Sequence, residues 1–125
     1  MPRVLLIEDE RIVAEIYSLA LQRAGLEVMV APDGAEGLRL AQENKPDFIF
    51  LDVRMPRMGG MDVLRSLAAG TATSAIPTVM MTNYDDPATV RSSRDLGAKE
   101  YLVKAGFDPN DLAAIVERWV APPVA

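Results

Sequence analysis

Apolar positions in this chain follow two alternating rhythms. Short, nearly unbroken runs occur at Val4-Ile7, Val28-Ala31, Phe48-Leu51, Pro77-Met81 and Tyr101-Val103, and between them apolar residues recur at helical spacing. Unbroken runs of this length suit strands buried on both faces, and the intervening period suits amphipathic helices. Five such alternations predict an α/β domain in which helices cover both faces of one parallel sheet. The chain has no internal repeat and no low-complexity segment that would argue for another architecture.

The helical segments carry their own boundaries. Glu10 to Ala24 predicts a first helix whose inward stripe is Ile12, Val13, Ile16, Leu19, Ala20 and Arg23, with Gly25 ending it. Asp33 can cap a second helix that reaches Asn44, ahead of the Pro46 that opens the third strand. Gly59-Gly60 precede a third helix with Val63, Leu64 and Leu67 inward, and the small, polar stretch Gly70–Ala75 reads as a loop. A fourth helix starts at Asp86, tolerates Pro87 in its first turn, reaches Leu96 and is ended by Gly97. Asp108-Pro109 opens the last helix, where Leu112, Ile115, Val116 and Trp119 keep the helical period. Residues 1–121 therefore form the domain, and 122–125, with Pro122 and Pro123, read as a tail or the start of a linker.

Composition narrows the function classes. At 125 residues, half of them apolar, the chain can bury a full core. A net charge of −5 with no basic block argues against nucleic-acid binding by this domain alone and points to protein partners. The absence of cysteine removes disulfides, thiolate metal sites and Cys nucleophiles, in keeping with a reducing cytoplasm. The absence of histidine removes Ser-His chemistry, His-ligated zinc and any phosphoryl-carrying imidazole on this chain. The N-terminus, one Arg followed by a strand-length apolar run, is neither a signal peptide nor a membrane span.

The predicted strands end in reactive residues. Glu8 and Asp9 follow the first, Asp52 ends the third, Thr82 the fourth, and Lys104 follows the fifth. In an open parallel sheet these ends share one rim, where such folds place their chemistry. Three acids, a hydroxyl and an ammonium then meet in one crevice, a set suited to an Mg²⁺-dependent aspartyl-phosphate site. Magnesium takes oxygen ligands and keeps several waters. Asp9 and Asp52 are the direct ligands in this reading, with Glu8 reaching the ion directly or through water, and Mn²⁺ is an alternative ion. Three clustered acids raise their own carboxyl pKa values until a cation relieves them. Asp52 can then act as nucleophile toward a phosphoryl group, Lys104 as a point charge on a phosphate oxygen, and Thr82 as a hydroxyl donor to another. Taken singly, Asp9 could be a helix cap, Thr82 a strand-end residue and Lys104 a solvated charge. Their joint placement at strand ends is what carries the reading.

With these residues in view, the chain resembles the receiver domain of two-component response regulators, a family that includes the chemotaxis regulators. The resemblance rests on the Glu8-Asp9-Glu10 turn, on Leu51-Asp52-Val53-Arg54-Met55-Pro56-Arg57-Met58-Gly59-Gly60-Met61-Asp62, on Met81-Thr82, and on Gly97-Ala98-Lys99-Glu100-Tyr101-Leu102-Val103-Lys104, and it covers essentially the whole chain. It implies a flavodoxin-like, doubly wound (βα)5 three-layer sandwich with strand order 2-1-3-4-5. It also implies a cytoplasmic signalling phosphoacceptor rather than an enzyme. Asp52 would take a phosphoryl group from the phosphohistidine of a sensor kinase or phosphotransfer protein, with Mg²⁺, in a step the domain itself catalyses, and would later lose it by hydrolysis. The resemblance gives Arg54 a metal-binding role through its backbone carbonyl. It makes Thr82 and Tyr101 a switch that remodels the face of the fourth helix, fifth strand and fifth helix for a downstream protein or a fused output domain. Tyr101 is equally readable as a plain strand aromatic, and its place three residues before Lys104 favours the switch. No residue pattern decides whether phosphorylation drives homodimerisation.

The chain departs from the family pattern in two places. Asn83 stands where most receivers have Ala or Gly, and a larger side chain there narrows access to the phosphate. Arg54 and Tyr84 can lie over the phosphoryl group and shield it from water, so the phosphorylated state is expected to decay slowly. Lys104-Ala105-Gly106 replaces the usual Lys-Pro with its cis bond, so a trans bond is expected here and Gly106 can absorb the altered turn. Two rival readings remain. One is a pseudo-receiver that only binds partners, which the intact acids, Thr82 and Lys104 argue against and Asn83 keeps alive. The other is an Asp-nucleophile hydrolase of the haloacid dehalogenase type, which lacks its second acid because Arg54 occupies that position. No glycine-rich nucleotide-binding pattern follows the first strand.

Overall fold

The apolar runs pair side by side in a computed structural model that describes residues 2–83 and 86–120. Strands β1 (Arg3–Ile7), β2 (Glu27–Ala31), β3 (Phe48–Asp52), β4 (Thr78–Thr82) and β5 (Glu100–Val103) form one sheet in the order β2-β1-β3-β4-β5. Every pairing is parallel, and the register sets Ile7 beside both Ala31 and Leu51, Asp52 beside Met81, and Thr82 beside Val103. Helices α1 (Arg11–Arg23), α2 (Gly34–Asn44), α3 (Gly60–Ala69), α4 (Pro87–Asp95) and α5 (Leu112–Trp119) make the crossovers. This is the doubly wound, flavodoxin-like architecture expected from the sequence.

Side-chain alternation along the strands divides the core into two layers. Val4, Leu6, Phe48, Phe50, Val79 and Met81 face α1 and α5, meeting Ala14, Tyr17, Leu21, Leu112, Ile115 and Val116. Leu5, Ile7, Ile49, Leu51 and Met80 face the other way, onto Ala41 of α2 and Val63, Leu64 and Leu67 of α3. Central strands β3 and β4 are buried at every position, which is why their sequences read as unbroken apolar runs.

Local signals set the helix ends. Asp33 accepts a hydrogen bond from the Glu36 N–H at the start of α2, and Asp86 accepts one from the Ala88 N–H at the start of α4. Gly25 and Gly97, just past the ends of α1 and α4, have φ of 90° and 100°, a left-handed conformation that favours glycine. Glycine also matters at Gly37, where an added Cβ would lie 2.5 Å from the Ile7 side chain, so α2 packs directly on β1 just before the acidic turn.

The structure corrects the inward stripe expected for α1. Ala14, Tyr17 and Leu21 are buried with Val13 packed beside them, whereas Ile12, Ile16 and Leu19 are 73%, 49% and 48% exposed. This helix carries apolar residues on two faces, and periodicity fixes their spacing but not which face meets the sheet. Helix α5 also starts later than Asp108-Pro109 suggested. A 3-10 turn at Pro109–Asp111, with Asp108 accepting from the Asn110 N–H, leads into it at Leu112. Trp119 lies at the rim of α5 rather than in the core, where its indole N–H donates to Glu100 and the Lys99 ammonium sits 5.8 Å from its ring. No cis peptide bond occurs among the described residues, so Lys104-Ala105 is trans, and Lys104–Gly106 forms a short 3-10 turn. The 122–125 tail and Tyr84 lie outside the described residues.

Candidate functional site

The C-terminal ends of β1, β3 and β4 and the turn after β5 bring Glu8, Asp9, Asp52, Thr82 and Lys104 to one rim of the sheet. Asp52 ends a fully buried strand and is itself 4% exposed. The backbone of the next residue, Val53, is held from two sides. The Val53 N–H donates to the Met81 carbonyl at 2.8 Å, and the Gly60 N–H donates to the Val53 carbonyl at 2.9 Å. A Cβ on Gly60 would stand 2.2 Å from the Asp52 carbonyl oxygen, so only glycine lets α3 start this close to the acid. Arg57, in the loop between them, has φ of 68°.

Carboxylate oxygens of Glu8, Asp9 and Asp52 lie within 4.8 Å of one another. An all-oxygen set of that size fits a hard divalent cation such as Mg²⁺, which is usually held by one or two carboxylates and several waters. Lys104 reaches into the same cluster. Its ammonium is 2.5 Å from Glu8 Oε1 and 3.4 Å from Asp52 Oδ1, and the side chains of all three are at most 8% exposed. The Glu10 N–H donates to the other Glu8 oxygen at 3.1 Å. Thr82 is 2% exposed at the end of β4.

Burial dominates the electrostatics of Asp52. Desolvation, then the nearby Glu8 charge, push its carboxyl well above the usual carboxylate range, to about 8, with Lys104 acting in the opposite direction. Burial works against the Lys104 charge, yet the hydrogen bond to Glu8 and the charge of Asp52 outweigh it and raise the ammonium above its ordinary value. Metal-free, the crevice is thus a site of concentrated negative charge only partly balanced by one ammonium.

The remaining expected residues lie around this centre. Arg54 and Asn83 are exposed beside the ends of β3 and β4, and Tyr101 is half-buried on β5 against the layer containing Met80, Leu96 and Ala98. One residue escaped the sequence reading. Tyr17 is buried on α1, where burial raises its phenol and the charges of Lys104, Glu8, Asp52 and Glu10 all act on it. Its spacing of three from Ala14 and four from Leu21 is the signal that could have found it once the inward face was known. Among the described residues, no helix is long and apolar enough to cross a membrane.

Comparison with known proteins agrees with this geometry. The family model of the response regulator receiver domain matches residues 4–117. The chain is 35% identical over 116 residues to the DNA-binding dual master transcriptional regulator RpaA of Synechocystis sp., a match covering 93% of this chain and 48% of RpaA. It is 34% identical over 106 residues to protein PilH of Pseudomonas aeruginosa, covering 83% of this chain and 86% of PilH. Among solved structures, the chemotaxis protein CheY4 of Vibrio cholerae superposes with a TM-score of 0.89 at 32% identity, covering 96% of this chain and 99% of CheY4. The chain therefore spans about half the length of the DNA-binding relative and nearly all of the chemotaxis protein.

Proposed function

Because this chain belongs to the response regulator receiver domain family of two-component signalling, we propose that Asp52 is its phosphoacceptor and that the group comes from the phosphohistidine of a sensor kinase or phosphotransfer protein. The observation that carries this reading is the position of Asp52, buried with the Lys104 ammonium 3.4 Å from its carboxylate and the Glu8 and Asp9 carboxylates within 4.8 Å. A carboxylate oxygen of Asp52 attacks phosphorus and forms the O–P bond. The P–N bond to the donor imidazole breaks with its electron pair staying on nitrogen, which takes a proton from solvent. Asp9 and Asp52, with Glu8 and the Arg54 backbone carbonyl, would hold Mg²⁺ or Mn²⁺, which neutralises charge on the phosphoryl oxygens. Lys104 binds a phosphoryl oxygen as a point charge, and the Thr82 hydroxyl donates to another. The barrier is lowered by positioning and charge neutralisation rather than by an added base.

Phosphorylation adds a dianion at the rim formed by the ends of β3, β4 and β5. Thr82 moves toward it and Tyr101 turns inward, and the surface of α4, β5 and α5 changes for a downstream protein or a fused output domain in the cytoplasm. Residues 1–121 act as the receiver, with 122–125 as tail or linker. Asn83, Arg54 and Tyr84 restrict water at the phosphoryl group, so the phosphorylated state decays slowly.

Intact-protein mass after incubation with acetyl phosphate tests the reading. One added phosphoryl mass that requires both Mg²⁺ and Asp52, and is absent from Asp52→Asn, is the expected result. A folded protein that gives no adduct and binds no beryllofluoride would instead be a pseudo-receiver.

A further inference from the structure

The two edges of the sheet differ. At β5, Glu100 is tied to α5 by Arg118 and by the Trp119 indole. At β2, no further strand lies alongside among the described residues. The Glu27 N–H donates to the Pro2 carbonyl and the Ala31 carbonyl accepts from the Glu8 N–H, so these residues turn their backbone groups toward β1. Direction alternates along a strand, and Val28 and Val30 therefore turn theirs outward. An open edge is commonly blunted by lysine, proline or a bulge. Strand β2, Glu27-Val28-Met29-Val30-Ala31, has none of these, and its register with β1 runs unbroken from Glu27 to Ala31.

A groove of about 560 Å³ with mostly apolar walls lies beside this edge, between α1 and β2. Ala14, Ser18 and Leu19 form one wall, and Val30 and Pro32 the other. Val30 thus lines the groove with its side chain while its backbone faces out. The α1 wall, from Arg11 to Gln22, runs about 16 Å, the reach of about five extended residues. One extended segment can meet both features at once, with main-chain hydrogen bonds at Val28 and Val30 and alternate side chains in the groove. Charge selects the segment. The chain carries a net charge of −5, Glu15 in the groove is already paired with Arg11 at 3.4 Å, and the groove ends at Asp9. That field favours a basic segment and opposes a second copy of the chain.

We infer that the β2 edge and the α1–β2 groove dock an extended basic segment of a partner protein, which adds a strand to the sheet and sets apolar side chains at alternate positions into the groove. The inference does not depend on phosphorylation of Asp52.

Titration with the peptide acetyl-Lys-Val-Lys-Val-Lys-Val-Lys-amide, followed by NMR, tests this. The Val28 and Val30 amide resonances of the natural protein are expected to shift and their exchange with solvent to slow; no change at either would overturn the proposal. Methylating alternate amide nitrogens of the peptide separates main-chain pairing from charge. Methyl groups on the valines block an antiparallel strand and methyl groups on the lysines a parallel one, so one form should bind about tenfold or more weakly than the other. Equal affinity of the two forms, or undiminished binding of the peptide with glutamate in place of lysine, would overturn the proposal. Val30→Pro removes an outward N–H at a position where an edge strand tolerates proline, and Leu19→Lys puts a positive charge into the groove wall. Each should weaken binding by about tenfold or more, while Ile12→Ala, on α1 outside the groove, should stay within about threefold. A loss in Ile12→Ala as large as in Leu19→Lys would overturn the proposal. If Val30→Pro fails to fold, Leu19→Lys carries the test. Self-association of the chain alone that Val30→Pro abolishes would assign the edge to a second copy and also overturn it.

Discussion

The Lys104 ammonium and the Glu8 carboxylate, 96 positions apart in the chain, meet at 2.5 Å inside the rim of the sheet. Neither is exposed enough for water to screen the pair well. A charge pair with so little water around it makes the crevice sensitive to every change in charge, and pH is the simplest such change.

Metal-free stability should fall as pH rises from 5 to 8.5. The Asp52 carboxyl titrates at about 8 in the folded protein, against 3.8 as its ordinary value. Between those values the folded chain holds a proton that the unfolded chain has lost, so the contribution is present at low pH and is lost as pH rises through the folded value. No histidine titrates in this window. Thermal melts in EDTA should show the decline, Asp52→Asn should flatten it, and Mg²⁺ should restore stability at pH 8. A metal-free melting temperature that climbs over this range would contradict the assignment.

Gly60→Ala should damage both stability and chemistry. The added Cβ would meet the Asp52 carbonyl at 2.2 Å and the Val53 Cα at 2.8 Å, both backbone atoms that cannot step aside. Overpacking of this kind costs about 1–3 kcal/mol. Urea denaturation reads that cost, and phosphorylation at saturating Mg²⁺ reads the displacement of Asp52. Gly106→Ala, which meets nothing within 4 Å, is the matched control and should change stability little.

Helix α1 offers a test of which face is inward. Leu21 is fully buried, and Leu21→Ala should cost about 2–5 kcal/mol. Ile16 is 49% exposed, and Ile16→Ala should stay within about 1 kcal/mol. Equal losses in denaturant melts of the two variants would show that the helix is rotated from the orientation described.

Trp119 should report the switch. It is the chain's one tryptophan, and it hydrogen-bonds Glu100, the residue before Tyr101. Beryllofluoride with Mg²⁺ is expected to shift its fluorescence, and Tyr101→Ala to diminish that shift while leaving beryllofluoride bound. An unchanged spectrum with bound trap would remove the β5–α5 surface from the response.

Arg54→Ala should shorten the life of the phosphorylated state by exposing the phosphoryl group to water. Decay of phosphoprotein followed by mass in Mg²⁺ buffer measures it. Natural protein decaying within seconds, or an unchanged lifetime in the variant, would dismiss the shielding role.

Much of this protein is decided locally. The unbroken runs of β3 and β4, the caps Asp33 and Asp86, and the glycines past α1 and α4 act over a few residues, so the sequence alone determined the five βα alternations and, through them, the rim where Asp52, Thr82 and Lys104 gather. Tertiary structure decided what depends on facing surfaces. Two apolar faces compete on α1, and only the sheet's demand for Ala14, Tyr17 and Leu21 leaves Ile12, Ile16 and Leu19 outside. Asp108 marked the last helix early because a cap signal does not distinguish a 3-10 turn from α-helix. The partner of Lys104 was also beyond the sequence. Spacing brings three carboxylates to one rim, but that the ammonium stands closer to Glu8 than to Asp52, with the Glu10 N–H on the other Glu8 oxygen, is decided only where the buried strand ends meet.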